Sequence, residues 1–429
     1  MRMKYAKWSK FIVWGMMVFP TFGLWLGAGS PAMSQEVRSV KIGNSHGLTG
    51  AVSVAHTAYM EAMIAYFKDL NERGGIEFTN PKTGKVEKAK IDHIWADDGY
   101  VVSKCVANYT RMKGEGIVFF INGSVGGSLA CLELSKRDKI AQIHAGNIKA
   151  LMYPKHKWMV TSSAAYTDSF GAGIDWISKE WAPKNLPAGG KVKIGIITSD
   201  TAFGKALLEP STEAYMKEKG VEYLGMLFAG VGDIDMTPQV KSMVDKGANW
   251  IACNHTAPFA SNLAKSIGRL GLQGKVNLFL NQACFDDVFI QQAGEYAEGT
   301  IGIGFTGHML DSHPYNDKMR EIIKRYYPNT NIFYQHGNGV NYGRLIEAGI
   351  TTALNKFGFP LTGENVADAF FSADGKGVWK SPGGLIPGDY DLTSNPEDNA
   401  MLHDAALLVA EKGKLKVIKY VHCPGLSFR

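Results

Sequence analysis

The stretch Phe119–Leu134, FFINGSVGGSLACLEL, passes from an apolar strand through a glycine-rich turn into a helix with an apolar stripe. What that turn holds decides the class of protein. A nucleophile, a phosphate and a whole small molecule are the three candidates. A nucleophile elbow, G-x-S-x-G, needs glycine two places before the serine, and Asn122 stands there before Ser124. A dinucleotide loop fails too, because Gly123, Gly126 and Gly127 do not fit G-x-G-x-x-G. What remains is a helix N-terminus with Ser128 as a candidate N-cap, its free N–H groups able to meet something anionic or polar.

Outward from this turn, short β-rich runs alternate with helical patterns. SVKIGNS (39–45) reads as a strand, and the helix after it repeats Ala55, Tyr59, Ala62, Tyr66 and Leu70 before stopping at Gly74-Gly75. Strand KIDHIWA (90–96), helix VSKCVANYTRMK (102–113), strand GIVFFI (116–121), helix SLACLELSKR (128–137) and strand IAQIHA (140–145) follow. FTNPKTGKVEK (78–88) reads as a polar hairpin or loop. The alternation then repeats. Strands KVKIGIITS (191–199), VEYLGMLFAG (221–230), NWIACN (249–254) and VNLFLNQ (276–282) are separated by helices, one of them GKALLEPSTEAYMKEKG (204–220) despite Pro210. Alternating strands and helices predict parallel sheets covered on both faces, and two such runs predict two α/β lobes. Ligands of such sheets bind beyond the carboxyl ends of the strands. The turns HGLTG, NGSVGGS, HAGN, TSDTAFG, CNHTAP and NQACFDD are therefore candidates for one facing cleft. They are rich in Gly, Ser, Thr and Asn and poor in Lys and carboxylates, which suits a modest polar ligand.

The chain has 429 residues, 45% of them hydrophobic and 20% charged, enough for two domains of ordinary composition. Arg2, Lys4, Lys7 and Lys10 precede the run FIVWGMMVFPTFGLWLGAG, and SPAMSQE follows with small residues for cleavage after Ala32 or Ser34. That order predicts a secretory signal peptide over residues 1–34, the rival being a retained anchor helix. Without it, Lys+Arg falls from 46 to 42 against 40 acidic residues, so the apparent basicity belongs to the leader and gives no reason to expect a nucleic-acid face. A free, soluble, exported protein is expected. The five cysteines make no CxxC, which leaves zinc and thioredoxin-type sites without support. Export permits disulfides, and the odd count leaves at least one thiol unpaired within the chain.

LTG after the first strand, LNERGGI, ADDGY, SDTAFGKAL, GDIDMTPQV, AGEYAEGT and LLVAEKGKLKVI together resemble, in order and spacing, the leucine/isoleucine/valine-binding branch of the type I periplasmic solute-binding proteins that serve ABC transporters. The resemblance runs from about Val37 to Val421. It implies an α/β fold of two doubly wound parallel-sheet lobes with a hinge of three crossings, near residues 158–165, 301–307 and 380–400. Lobe 1 would then be 37–160 plus 305–385, and lobe 2 would be 161–304 plus 386–429. In the sheet order this fold implies, Cys105–Cys131 and then Cys253–Cys284 are the expected disulfides. It also implies no catalysis, no cofactor and no metal, a periplasmic location, a monomer, and two partners: a small molecule (amino acid, amide or organic acid) and an inner-membrane permease.

By the same resemblance, a ligand carboxylate is held by Ser124, Val125, Gly126, Gly127 and Ser128 and by Gly146, Asn147 and Ile148. Phe203 and His255 stand at aromatic positions that cover the ligand, while Thr49 and Tyr166 enter only as residues of cleft-facing turns. Ala55 replaces a family tyrosine and widens the pocket. Ala283, beside Gln282, stands where amino-acid binders of the branch carry the glutamate that pairs with the ligand's ammonium group. A buried ammonium without a carboxylate is costly, so either Asp286 takes over or the ligand has no free α-amino group. Two other functions stay open at this point: a ligand-sensing subunit of a signalling receptor, and a serine hydrolase using Ser124 with His46, His144 or His255 as base.

Overall fold

A computed structural model describes residues 38–144, 146, 148–153, 156–305, 309, 312–371, 379–380, 391–392 and 402–429. The expected signal peptide lies outside these residues.

The first lobe begins with β1 (Arg38–His46), α1 (Ser53–Glu72), β2 (Ile76–Thr79), β3 (Val86–Asp97), α2 (Val102–Gly114) and β4 (Phe119–Asn122). It continues through α3 (Val125–Asp138), β5 (Ala141–His144), α4 (Lys149–Met152) and β6 (Met159–Thr161). Its six-stranded sheet runs β2-β3-β1-β4-β5-β6. Only β2 is antiparallel, pairing with β3 across a hairpin whose tip is the polar FTNPKTGKVEK segment. FFIN and AQIH are buried at every position, as strands covered by helices on both faces must be.

The second lobe holds α5 (Tyr166–Trp176), α6 (Ala182–Asn185), β7 (Lys193–Thr198), α7 (Pro210–Glu218), β8 (Glu222–Phe228), α8 (Thr237–Asp245) and β9 (Trp250–Cys253). It adds α9 (Ala257–Arg269), β10 (Asn277–Leu280), α10 (Asp287–Ala293) and β11 (Ile301–Gly304). The stretch 204–220, expected as one helix, is a 3₁₀ turn at Gly204–Leu207 followed by α7. Pro210 takes the first helical position because it has no N–H to give to a preceding turn.

The helices α11 (Pro314–Tyr326), α12 (Tyr334–Phe357) and α13 (Gly363–Phe370) then return to the first lobe. Two glycines let α12 sit hard against α1: a Cβ on Gly339 would lie 2.4 Å from the Tyr59 carbonyl oxygen, and one on Gly343 would lie 2.7 Å from the Tyr66 ring. A two-residue ribbon, β12 (Trp379–Lys380) with β13 (Asp391–Leu392), precedes β14 (Asp404–Glu411) and β15 (Lys414–His422). The last two strands complete a seven-stranded sheet, β15-β14-β11-β10-β9-β7-β8. The passage from β6 to α5 runs beside the return before β14, the Ala164 N–H donating to the Leu402 carbonyl at 2.8 Å.

This strand order positions the site. In the first sheet, the chain leaves β1 toward β3 on one side and crosses back from β3 to β4 on the other, so a crevice opens between the β1 and β4 turns. The second sheet repeats the device with β7 between β8 and β9. All five cysteines are buried thiols, so the expected disulfides are not formed. The members of each pair share an apolar cluster as thiols, Cys105 with Cys131 and Cys253 with Cys284. Each pair has an acceptor, Asn122 Oδ1 at 3.5 Å from Cys105 Sγ and the Asn281 carbonyl at 3.2 Å from Cys284 Sγ, so packing does not require an S–S bond there. No described helix is long and apolar enough to cross a membrane.

Candidate functional site: the cavity between the lobes

The turns at the two crevices face each other across a cavity of about 600 Å³, its open mouth included. The first lobe contributes Val52, Ala55, His56 and Tyr59 from the start of α1, Tyr100 after β3, Gly123 and Val125 at the start of α3, and His144 at the end of β5. Tyr166, Phe203, Thr256, Gln282 and Ala283 come from the second lobe, and Gln335 and Asn338 from the first turn of α12. None of these lining residues is Lys, Arg, Asp or Glu.

The histidines keep the wall uncharged. Burial pushes His144 down to about 4 and His56 to about 3, the latter with help from His144, so both are neutral above pH 5. Their hydrogen bonds fix opposite tautomers. The Gly47 N–H donates to His56 Nδ1 at 3.0 Å, which leaves the His56 proton on Nε2. The Asn122 carbonyl, 2.9 Å from His144 Nδ1, can only accept, so the His144 proton sits on Nδ1 and a bare lone pair on Nε2. That Nε2 is buried with no partner among the described residues, and Gln282 Nε2 is in the same condition.

Asp286 is not among the cavity's lining residues. It caps α10, its Oδ1 accepting from the Phe289 N–H at 3.0 Å, and its Oδ2 accepts from Gln335 Nε2 at 3.1 Å. Gln335 Oε1 in turn accepts from Asn338 Nδ2 at 2.8 Å. Burial raises Asp286 to about 6, against the lowering effect of these hydrogen bonds. The side chain in the Asp286 position thus orients Gln335 across the lobe boundary.

Of the residues singled out in the sequence, Val125, His144, Tyr166, Phe203, Gln282 and Ala283 line the cavity, while Ser124, Gly126, Gly127, Ser128 and Gly146 are not among its lining residues. Ala55 lines it too, on the same wall as Tyr59. The N-cap of α3 is Ser124 and not Ser128: Ser124 Oγ accepts from the Gly127 N–H at 2.9 Å, and the helix begins one residue later. The Ser128 side chain is buried three positions inside the helix, and its hydroxyl has no partner among the described residues. Gly126 and Gly127 are helical, so close approach is what requires glycine there. A Cβ on Gly127 would lie 2.7 Å from both Cys105 Sγ and Ser124 Oγ. Gly146 lies under the Tyr166 ring, where a Cβ would fall 1.5 Å from the hydroxyl.

Four others stand off the wall or outside the described residues. Thr49 is exposed at the rim, its hydroxyl donating to Asp97 at 2.7 Å, and Ile148 packs into the apolar cluster of Leu132 and Leu151. His255 stacks on Phe259 with ring centroids 4.1 Å apart, behind Phe203. Asn147 lies outside the described residues. The reading of the sequence missed His56, Tyr100, Gln335 and Asn338, and it counted Tyr59 among the core stripe of α1. Tyr100 closes the ADDGY motif that was noted for other reasons; Gln335 and Asn338 carry no local signal and arrive through the return of α12.

The chain belongs to the periplasmic binding protein family, whose model matches residues 39–414. Among solved structures it resembles a branched-chain amino acid ABC transporter protein from Thermus thermophilus with bound valine. The identity is 20%, the match covers 91% of this chain and 98% of that one, and the TM-score is 0.78. A fatty acid ABC transporter substrate-binding protein from Thermomonospora curvata is 17% identical, with 91% and 94% covered and a TM-score of 0.74. A solute-binding protein from R. palustris in complex with 4-hydroxybenzoate is 16% identical, with 90% and 98% covered and a TM-score of 0.69. A comparison with curated protein sequences finds no match.

Proposed function

We propose that this protein captures a small polar or carboxylate-bearing molecule in the inter-lobe cavity and delivers it to an ABC transporter permease, as in branched-chain amino acid type uptake. The observation that carries this reading is the cavity itself, built from the switch points of both sheets and from α12. A ligand that touches both lobes only when they are shut biases a hinge toward closure. The lobes proposed are 37–160 plus 305–385 and 161–304 plus 386–429, moving about three crossings. The β6-to-α5 passage and the return of α11–α13 to the first lobe support that division. The proposed ligand contacts are the lining residues with the amides of the α3 N-terminus. Family membership supports a periplasmic or extracellular location, and solved structures of the same fold bear ABC transporter names.

Ser124 gives the hydrolase reading little support, since its Oγ already serves as the helix cap. Mass spectrometry of ligand released from the purified protein, followed by uptake of that compound in cells with and without the gene, tests the proposal. Unchanged uptake would reject the transport role, and turnover of the ligand would reject simple binding.

A further inference from the structure

The solute-binding reading leaves the ligand's charge open, and the cavity wall addresses it. A zwitterionic amino acid needs a carboxylate for its ammonium group, because an ammonium buried without one is costly. No described lining residue carries one, and the nearby carboxylates are engaged elsewhere. Asp286 caps α10 and holds Gln335. Asp97 accepts from the backbone of Leu48 and Gly99 and from Thr49, and Asp98 accepts from Ser45 and the Tyr100 N–H.

The anionic alternative meets a different obstacle. The first amides of α3, at Val125 and Gly126, have no acceptor within their own helix and would welcome a ligand oxygen. His144 lines the same cavity as Val125, and its Nε2 lone pair is buried without a partner among the described residues, on a side chain only 4% exposed. Its ring is tied to Asn122, the residue that ends β4 just before this turn. A carboxylate here would set its negative oxygens against that lone pair. No described Lys or Arg lines the cavity to compensate. A group that offers an acceptor and a donor side by side satisfies both: its oxygen takes the α3 amides and its N–H or O–H meets His144.

On the solute-binding reading, we infer that the cavity takes an uncharged ligand with a hydrogen-bond acceptor beside a donor, the pattern of a carboxamide, and rejects α-amino acids and simple carboxylates. The rings of Tyr59, Tyr166 and Phe203 give such a ligand an apolar enclosure.

Calorimetry on two matched series tests this: isovaleramide, isovalerate and L-leucine, then benzamide, benzoate and L-phenylalanine. The expected result is that at least one amide binds at least tenfold more tightly than its matched carboxylate and amino acid. His144→Phe, which keeps a ring and removes the lone pair, should lower that amide's affinity at least tenfold. If the variant does not fold, the wild-type series decides alone. A carboxylate or amino acid that binds as tightly as its amide would overturn the inference and leave the solute-binding reading standing. Absence of binding by all six compounds would overturn it as well. Mass spectrometry of released ligand then tells another solute from no solute, and only the second defeats the solute-binding reading.

Discussion

Asp286 shows how one carboxylate can serve two lobes without lining the cavity between them. It is 1% exposed, yet it accepts one hydrogen bond from its own helix and one from Gln335 of the facing lobe. Burial raises its folded-state pKa to about 6, well above the unfolded value near 3.9. The folded chain therefore holds this proton more tightly than the unfolded one. The resulting stability is fully present below about pH 4 and is lost as pH rises through about 6. Relative to Asp286→Asn, the wild type should gain about 2–3 kcal/mol of unfolding free energy between pH 7 and pH 4. Denaturant titrations of both proteins at the two pH values check this; parallel pH profiles would show that Asp286 does not titrate in this range.

At the scale of elements, the opening turn of α3 is where reading the sequence came closest and also where it slipped. Phe119–Asn122, the turn and the helix were all legible from an apolar run, a glycine cluster and an apolar stripe. In the sequence the glycines look like loop, which moves the expected cap to Ser128. Both are in the helix, where packing against Cys105 and Asn122 leaves no room for a side chain at Gly127. Composition alone cannot tell a glycine chosen for a turn from one chosen for contact with a neighbour 22 residues away in sequence (Cys105 to Gly127). Ser124→Ala should therefore cost about 1 kcal/mol of stability, the usual loss of an N-cap. Its effect on ligand affinity should be smaller than that. Gly127→Ala should cost more, about 1–3 kcal/mol, because overpacking displaces the Cys105 and Ser124 side chains. Chemical denaturation reads both losses, and a larger loss for Ser124→Ala than for Gly127→Ala would refute this ordering. The same limit explains Gln335 and Asn338: they reach the cavity because α12 folds back onto α1, a contact that no local pattern announces.

For the whole molecule, the proposed closure turns on contacts between described residues of the two lobes. The Tyr334 N–H donates to Asp287 at 3.3 Å, Gln335 donates to Asp286, and the Tyr166 ring of α5 rests on Gly146 beyond β5. The last of these is the tightest. A methyl group at residue 146 would occupy the place of the Tyr166 hydroxyl and lie 2.1 Å from its ring carbon. Gly146 follows the end of β5, and Tyr166 opens a helix buried against Phe279 through Phe170. The Tyr166 side chain is buried, so Gly146→Ala should push it and the lobe that carries it away from residue 146 and leave each lobe's core intact. Ligand affinity should fall at least tenfold, about 1.4 kcal/mol, with little change in the denaturation midpoint. Small-angle scattering at saturating ligand should show the variant more extended than the wild type, and Tyr166→Ala in the same chain should restore the compact form. A Gly146→Ala protein that binds and compacts like the wild type would mean that this contact does not limit closure.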